Sequence, residues 1–254
     1  MADPIGRRQA IEAVAAGTAS LALGCGAPVR PRTAAMERVG ETRMSFPRAL
    51  SGEHRVVPLP FAAGSLDGIS ERMITSHHEN NYGGAVRNLN RTEQELARVT
   101  TDTPPLVVAA LRERELTFRN SKTLHELYFA SLGGDGRRSG AIERALTETY
   151  GSASRWEEHF RATGSGLGGG SGWVVLSYEL DTGALRTAWS GHHTQVLAAS
   201  VPLLVMDMYE HSYHLDFGAA VPRYLDAFFA NVQWDEVNRR LELAMRLGAL
   251  VARR

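Results

Sequence analysis

Between residues 173 and 189 the chain changes period. W-V-V-L-S-Y at 173–178 and L-R-T-A-W at 185–189 read as two short strands around Leu180-Asp181-Thr182-Gly183, a hairpin turn signal. A third short strand is expected at 203–206, where an apolar run follows Pro202. Nearly everything on either side follows helical spacing. A hairpin and one more strand set among helices exclude an all-helical bundle and a doubly wound parallel sheet. They leave an α+β fold with a small three-stranded antiparallel sheet flanked by helices.

The helical patterns fall into two groups. From 65 to 89 apolar residues recur at helical spacing through Ile69, Met73, Ala85, Val86 and Leu89, with Gly83-Gly84 as an irregularity. Residues 91–103 read as a polar connection. Pro104-Pro105 then opens a second helix, with an interruption expected before residues 124–132. The pair predicts a helical hairpin. Gly133-Gly134-Asp135-Gly136 marks the clearest internal boundary. Beyond it, helical patterns cover 140–150, 153–163, 222–230 and 234–247. The expected organisation is a hairpin domain at 57–133 and an α+β domain at 134–254. Gly164-Ser165-Gly166-Leu167-Gly168-Gly169 has the spacing of a dinucleotide loop, but that loop follows a strand and opens a helix. Here the strand comes afterwards, so dinucleotide binding is rejected.

Twenty-eight basic and 28 acidic residues balance to a formal charge of zero. They are interspersed, so the chain carries no basic footprint for nucleic acid. No apolar run reaches the length of a membrane span. Cys25 is the single cysteine, which excludes an intramolecular disulfide and a multi-cysteine metal site. Upstream of it, Arg7-Arg8 precedes a weakly apolar, Ala-rich stretch ending in Leu23-Gly24-Cys25. This resembles a twin-arginine export signal at 1–25 with a lipoprotein-type cleavage box. It implies a periplasmic or envelope location, with membrane attachment through a lipidated Cys25. Residues 26–56, rich in Pro, Arg, Gly and Thr, are expected to be a flexible arm, with order starting at 57.

The chemistry concentrates at Asp207-Met208-Tyr209-Glu210-His211, a carboxylate and an imidazole four residues apart after an apolar run. His77 in T-S-H-H-E-N-N and His125 in L-H-E-L-Y-F stand upstream. Three imidazoles and one carboxylate suit a single iron or manganese ion rather than a thiolate-seeking metal. No H-E-x-x-H is present, so zinc hydrolase chemistry has no support.

Taken together, these motifs resemble those of the iron/manganese superoxide dismutase family over about residues 57–240. The blocks are P-L-P-F at 58–61, His77 followed by N-L-N at 88–90, the His125 helix, G-S-G-W at 170–173, P-L-L-x-x-D-x-x-E-H at 202–211 and P-x-Y-L at 222–225. The resemblance implies His77, His125, Asp207 and His211 as ligands of one iron or manganese ion per subunit. It implies conversion of superoxide to dioxygen and hydrogen peroxide by one-electron cycling of that ion. It also implies a homodimer in which Glu210 and His211 bridge the subunits, with Asn81 and His214 replacing a His–Tyr pair. Trp173 and His192 take the outer-sphere positions, His192 by counting back from Pro202. Ala85 stands where the family has a gateway Tyr. Tyr82 is near in sequence, and a distortion at Gly83-Gly84 would be needed to bring it to the gateway. Without it, a catalytically altered metal-binding protein on the same scaffold is the alternative.

Overall fold

The computed structural model describes residues 49–251. The export signal, Cys25 and most of the expected arm lie outside the described residues. In chain order the elements are α1 (Glu71–Ser76), a π-helical turn (His77–Tyr82), α2 (Gly83–Leu96), α3 (Pro105–Ala130), α4 (Ala141–Tyr150), α5 (Ala153–Leu167), β1 (Trp173–Glu179), β2 (Leu185–Ser190), β3 (Ser200–Asp207), a 3-10 turn (Glu210–Ser212), α6 (His214–Phe217), α7 (Val221–Ala230) and α8 (Trp234–Val251). The three strands form one antiparallel sheet in the order β2-β1-β3. This is the expected α+β arrangement.

Local chemistry explains where most elements begin and end. Ser70 caps α1 by accepting from the Met73 N–H, and Ser152 caps α5 by accepting from the Arg155 N–H. Pro105 sits at the first position of α3, where a missing N–H costs nothing. Trp173 through Ser177 are all buried, although successive side chains point to opposite faces of a strand. Both faces of β1 are therefore covered. Helices α4 and α5 pack on the β1–β2 part of the sheet, and α3 and α8 pack on β3. Trp156, Phe160, Phe228 and Phe229 form the aromatic centre of the core, with edge-to-face contacts between Phe160 and Phe229 and between Phe228 and Phe229.

Three expectations are corrected. Helix α2 runs to Leu96, so residues 91–96 are helix rather than connection; buried Thr92, Glu93 and Leu96 hold that last turn. Helix α3 is continuous over 26 residues, with no break before Leu124. Order does not wait for residue 57. Residues 52–57 form a strap along α2. The Gly52 N–H donates to the buried Glu93 carboxylate, and His54 and Asn90 exchange two hydrogen bonds, at 2.8 and 2.9 Å. Composition marked this strap as loose because its partners lie some 40 residues away. Gly164–Leu167 is the last turn of α5, and a strand follows it, in agreement with the rejection of a dinucleotide loop.

Candidate metal centre

Four elements converge on one buried point. His77 opens the π-helical turn, His125 lies in α3, Asp207 ends β3 and His211 sits in the 3-10 turn. Their donor atoms all lie within 4.8 Å of one another. Oδ2 of Asp207 is 3.1 Å from Nε2 of His77, 3.6 Å from Nε2 of His125 and 3.4 Å from Nε2 of His211. Two donors held about 2.1 Å from a common ion, about 90–120° apart, stand about 3.0–3.6 Å from each other. The spacing fits a shared cation.

The ring protons of the imidazoles also fit a shared cation. Nδ1 of His125 is 2.7 Å from the carbonyl oxygen of Ser121, which can only accept, so Nδ1 carries the ring proton. The Nε2 of a neutral His125 is then a bare lone pair, buried and without a hydrogen-bond partner, facing a carboxylate. Nε2 of His211 is likewise without a partner. A His77–Asp207 hydrogen bond occupies Nε2 of His77, leaves its Nδ1 without a partner and leaves the other two imidazoles unexplained. A cation among the four groups accounts for the bare Nε2 atoms of His125 and His211.

The ring of partners around the carboxylate is fixed by backbone and hydroxyl groups. Oδ1 of Asp207 accepts from the Tyr209 N–H at 2.8 Å, which leaves Oδ2 for the centre. The Asp207 carbonyl accepts from the hydroxyls of Tyr224 at 2.7 Å and Ser212 at 2.9 Å. Burial alone would raise the Asp207 carboxyl; the His211 and His77 imidazoles outweigh it and hold it well below the usual carboxylate range. Burial pushes His77 down, against the pull of Asp207.

Burial, then the neighbouring His77, drives His125 down to about 3. In the unfolded chain the ring titrates near 6.5. Stability from this group is therefore fully present above about pH 6.5 and is lost as pH falls toward 3. Metal-free protein is expected to be on the order of 1–2 kcal/mol less stable at about pH 5 than at about pH 7.5 from this ring alone. Urea midpoints at the two pH values measure it, and equal midpoints would contradict the assignment of a buried neutral His125.

Trp173 and a histidine complete the surroundings, but not the histidine expected. His192 is exposed, with Nδ1 3.1 Å from the Thr194 hydroxyl. The inward residue is His193. Its Nδ1 accepts from Nε1 of Trp173 at 2.9 Å, and its ring stacks on Tyr209 at 4.6 Å between centroids. Tyr209 in turn stacks on His211 at 5.4 Å, and Trp173 meets His125 edge-on at 5.1 Å. Burial drives His193 down to about 4, so at neutral pH the ring is uncharged. With Nδ1 accepting, its proton is on Nε2. Counting from Pro202 fixes a position but not which of two adjacent rings turns inward, and here the Gln195 N–H bonds back to the His192 carbonyl in a turn that leaves His192 outside. The one available signal was the doublet itself, His192-His193.

The mouth of the site is a recess of about 300 Å³ lined by His125, His193 and His211 and by Asn81, Ala85 and Asn88 of the helix. Tyr82 is absent from it. The π-helical turn does distort the helix, but it sends Tyr82 the other way. The Tyr82 hydroxyl donates to Glu126 at 2.7 Å and accepts from the Val57 N–H at 2.8 Å. Nε2 of His78 donates to the Val57 carbonyl, so the strap latches the turn that carries His77. Glu210 and His214 are exposed, and Asn81 is half-buried at the mouth.

A model of the C-terminal domain of iron/manganese superoxide dismutases matches residues 138–240. An iron superoxide dismutase of Cupriavidus metallidurans is 44% identical over 194 residues, covering 76% of this chain and 98% of that protein. The chain belongs to the iron/manganese superoxide dismutase family. An iron superoxide dismutase of Aquifex aeolicus is 32% identical over 205 residues, covering 77% and 95% of the two chains. A manganese superoxide dismutase of Halobacterium salinarum is 34% identical over 198 residues, covering 76% and 96%. Both metals are thus represented among the relatives of this family member, and the donor set here is compatible with either.

Proposed function

We propose that this protein is a superoxide dismutase, converting superoxide to dioxygen and hydrogen peroxide at one iron or manganese ion held by His77, His125, Asp207 and His211. The observation that carries the reading is the bare, buried Nε2 of His125 aimed at Oδ2 of Asp207 among two further imidazoles. The bound ion supplies the one-electron gain and loss that the two halves of dismutation require. The chain's own residues supply the rest. The anionic Asp207 offsets the positive charge of the ion, and three neutral imidazoles limit that offset. Trp173 orients the ring of His193, which lines the recess with His125 and His211 and offers its Nε2–H as the proton donor. Buried Trp173 and Tyr128 exclude bulk water around the ligands. Metal analysis of purified protein beside an assay of superoxide removal tests the reading; a stoichiometric redox metal without superoxide removal would refute it.

His193 and His192 separate the outer-sphere role from a surface one. His193→Ala is expected to lower superoxide removal about 10–100-fold with metal retained, the usual cost of losing a partner group just outside the ligands. His192→Ala is expected to change it less than about twofold, as for an exposed residue away from any special contact. Turnover and metal content measured on both variants decide it. The reverse ranking would return the role to His192.

The mouth favours a second reading. Asn81, Ala85 and the outward Tyr82 leave no phenol at the recess, which fits a metal-binding protein whose turnover has been altered. The same assay distinguishes it. The assembly proposed is a homodimer in which Glu210 of one subunit reaches His211 of the other and Asn81 faces His214. Exposure of Glu210 and His214 beside the site supports this. Export to the periplasm or envelope, with attachment through Cys25, is proposed from Arg7-Arg8 and the Ala-rich stretch that follows. Among the described residues no helix is long and apolar enough to cross a membrane.

A further inference from the structure

A second recess lies behind the His193 loop, between α3 and the sheet. Its volume is about 210 Å³. Leu124 and Leu127 of α3, Val175 of β1 and Leu197 of the loop supply apolar walls, and Asn120 and Thr123 stand among its polar lining. Among the described residues no Asp, Glu, Lys, Arg or His lines it. A protein cavity of about 150 Å³ with apolar walls holds a molecule the size of benzene. This one is larger, uncharged and mostly apolar, which selects a neutral aromatic or aliphatic molecule with one hydrogen-bonding end.

The recess shares two groups with the surroundings of the metal centre. Asn120 is in its lining and also donates from Nδ2 to the His193 carbonyl at 2.8 Å. Gln195, also in the lining, accepts from the Gly191 N–H at 2.8 Å and donates its own N–H to the His192 carbonyl. The loop that carries His193 is thus one wall of the recess. Its end is strained. Ala199 has φ +48°, the single non-glycine residue at positive φ among those described. Strain of this kind persists where the surrounding structure imposes it, and ligand clamps are among such places.

We propose that this recess is a binding site for a small, neutral, largely apolar molecule of about indole size, and that its occupancy shifts His193 through Asn120 and the 191–197 loop. The coupling rests on the placement of His193 at the metal centre; the binding does not. Indole serves as the probe, titrated by calorimetry into the metal-loaded full chain while the visible absorption of the bound metal is followed. The expected result is saturable one-to-one binding accompanied by a shift of the metal's absorption band. Ala188→Leu fills the recess from β2, and Thr123→Phe fills it from the surface of α3, where folding is less at stake. Each is expected to weaken indole binding at least about 10-fold. No saturable heat up to the solubility limit of indole, or equal heat in a folded Thr123→Phe variant, overturns the site. Binding that leaves the absorption band unmoved overturns the coupling. A protein that binds indole but proves inactive toward superoxide would sink the dismutase reading and leave the site standing.

Discussion

Asp207→Ala is expected to leave the chain without metal and without superoxide removal. The three imidazoles all converge on this carboxylate, at 3.1, 3.4 and 3.6 Å from Oδ2. Removing it leaves three neutral imidazoles with no anionic partner for the ion. Metal content should fall from about one ion per chain to below about a tenth, since a ligand counts for more than the 10–100-fold of an outer group. Stability should fall with it, because an ion present at 1,000 times its dissociation constant contributes about 4 kcal/mol to the folded state. Asp207→Asn separates charge from shape. The amide oxygen can still accept from the Tyr209 N–H, so the chain should fold while binding metal weakly. Metal content by elemental analysis and thermal midpoints with and without added metal measure both effects. Full occupancy in the alanine variant would remove Asp207 from the ligand set.

Gly172→Ala is expected to be the most damaging single-methyl change near the site. Gly172 has φ +146°, a conformation that side chains disfavour, and an added Cβ would sit against the carbonyl oxygen of Ser190 and both methyls of Leu167. The backbone carbonyl of Ser190 cannot yield cheaply. Ser190 pairs with Trp173 across β1 and β2, and the Gly172 carbonyl accepts from the Met208 N–H. The position therefore joins the start of β1 to the end of β3, between Trp173 and Asp207. Backbone strain and overpacking each cost about 1–3 kcal/mol, so a loss of about 3–5 kcal/mol is expected. Chemical denaturation measures it. A change below about 1 kcal/mol would show that the strand junction relaxes freely, which the crowding around it opposes. Reduced metal content in any folded fraction should accompany the loss, because Trp173 and Asp207 are paired in register.

The strands were legible because their signal is local. The hairpin turn signal at Leu180-Asp181-Thr182-Gly183 placed β1 and β2 to within one residue at each end. The third strand was recognised by its apolar core at 203–206, but it begins at Ser200. Its first residues, Ser200, Val201 and Pro202, are only half-buried and lie outside the continuous apolar run. The helical boundary at 91 failed for a related reason. Thr92 and Glu93 look like connection residues, yet Glu93 is buried because Gly52, His54 and Arg119 converge on its carboxylate from distant parts of the chain. Periodicity cannot anticipate a buried charge whose partners are remote. Tyr82 follows the same logic. Its acceptor Glu126 and donor Val57 are 44 and 25 residues away, and together they decide which side of the helix it occupies.

The chain's order of residues determined the element types and the α+β class, and its motif resemblance pointed to the four groups His77, His125, Asp207 and His211. Period and turn chemistry are written at each position and need no partner to be read. Folding decided what depends on orientation. The turn at His192–Gln195 and the Trp173 N–H select His193 over its neighbour, and the π-helical turn with the strap at Val57 carries Tyr82 away from the recess. Two adjacent histidines are chemically identical in the sequence. Only the hydrogen bonds that neighbours offer to one of them distinguish an inward ring from an exposed one.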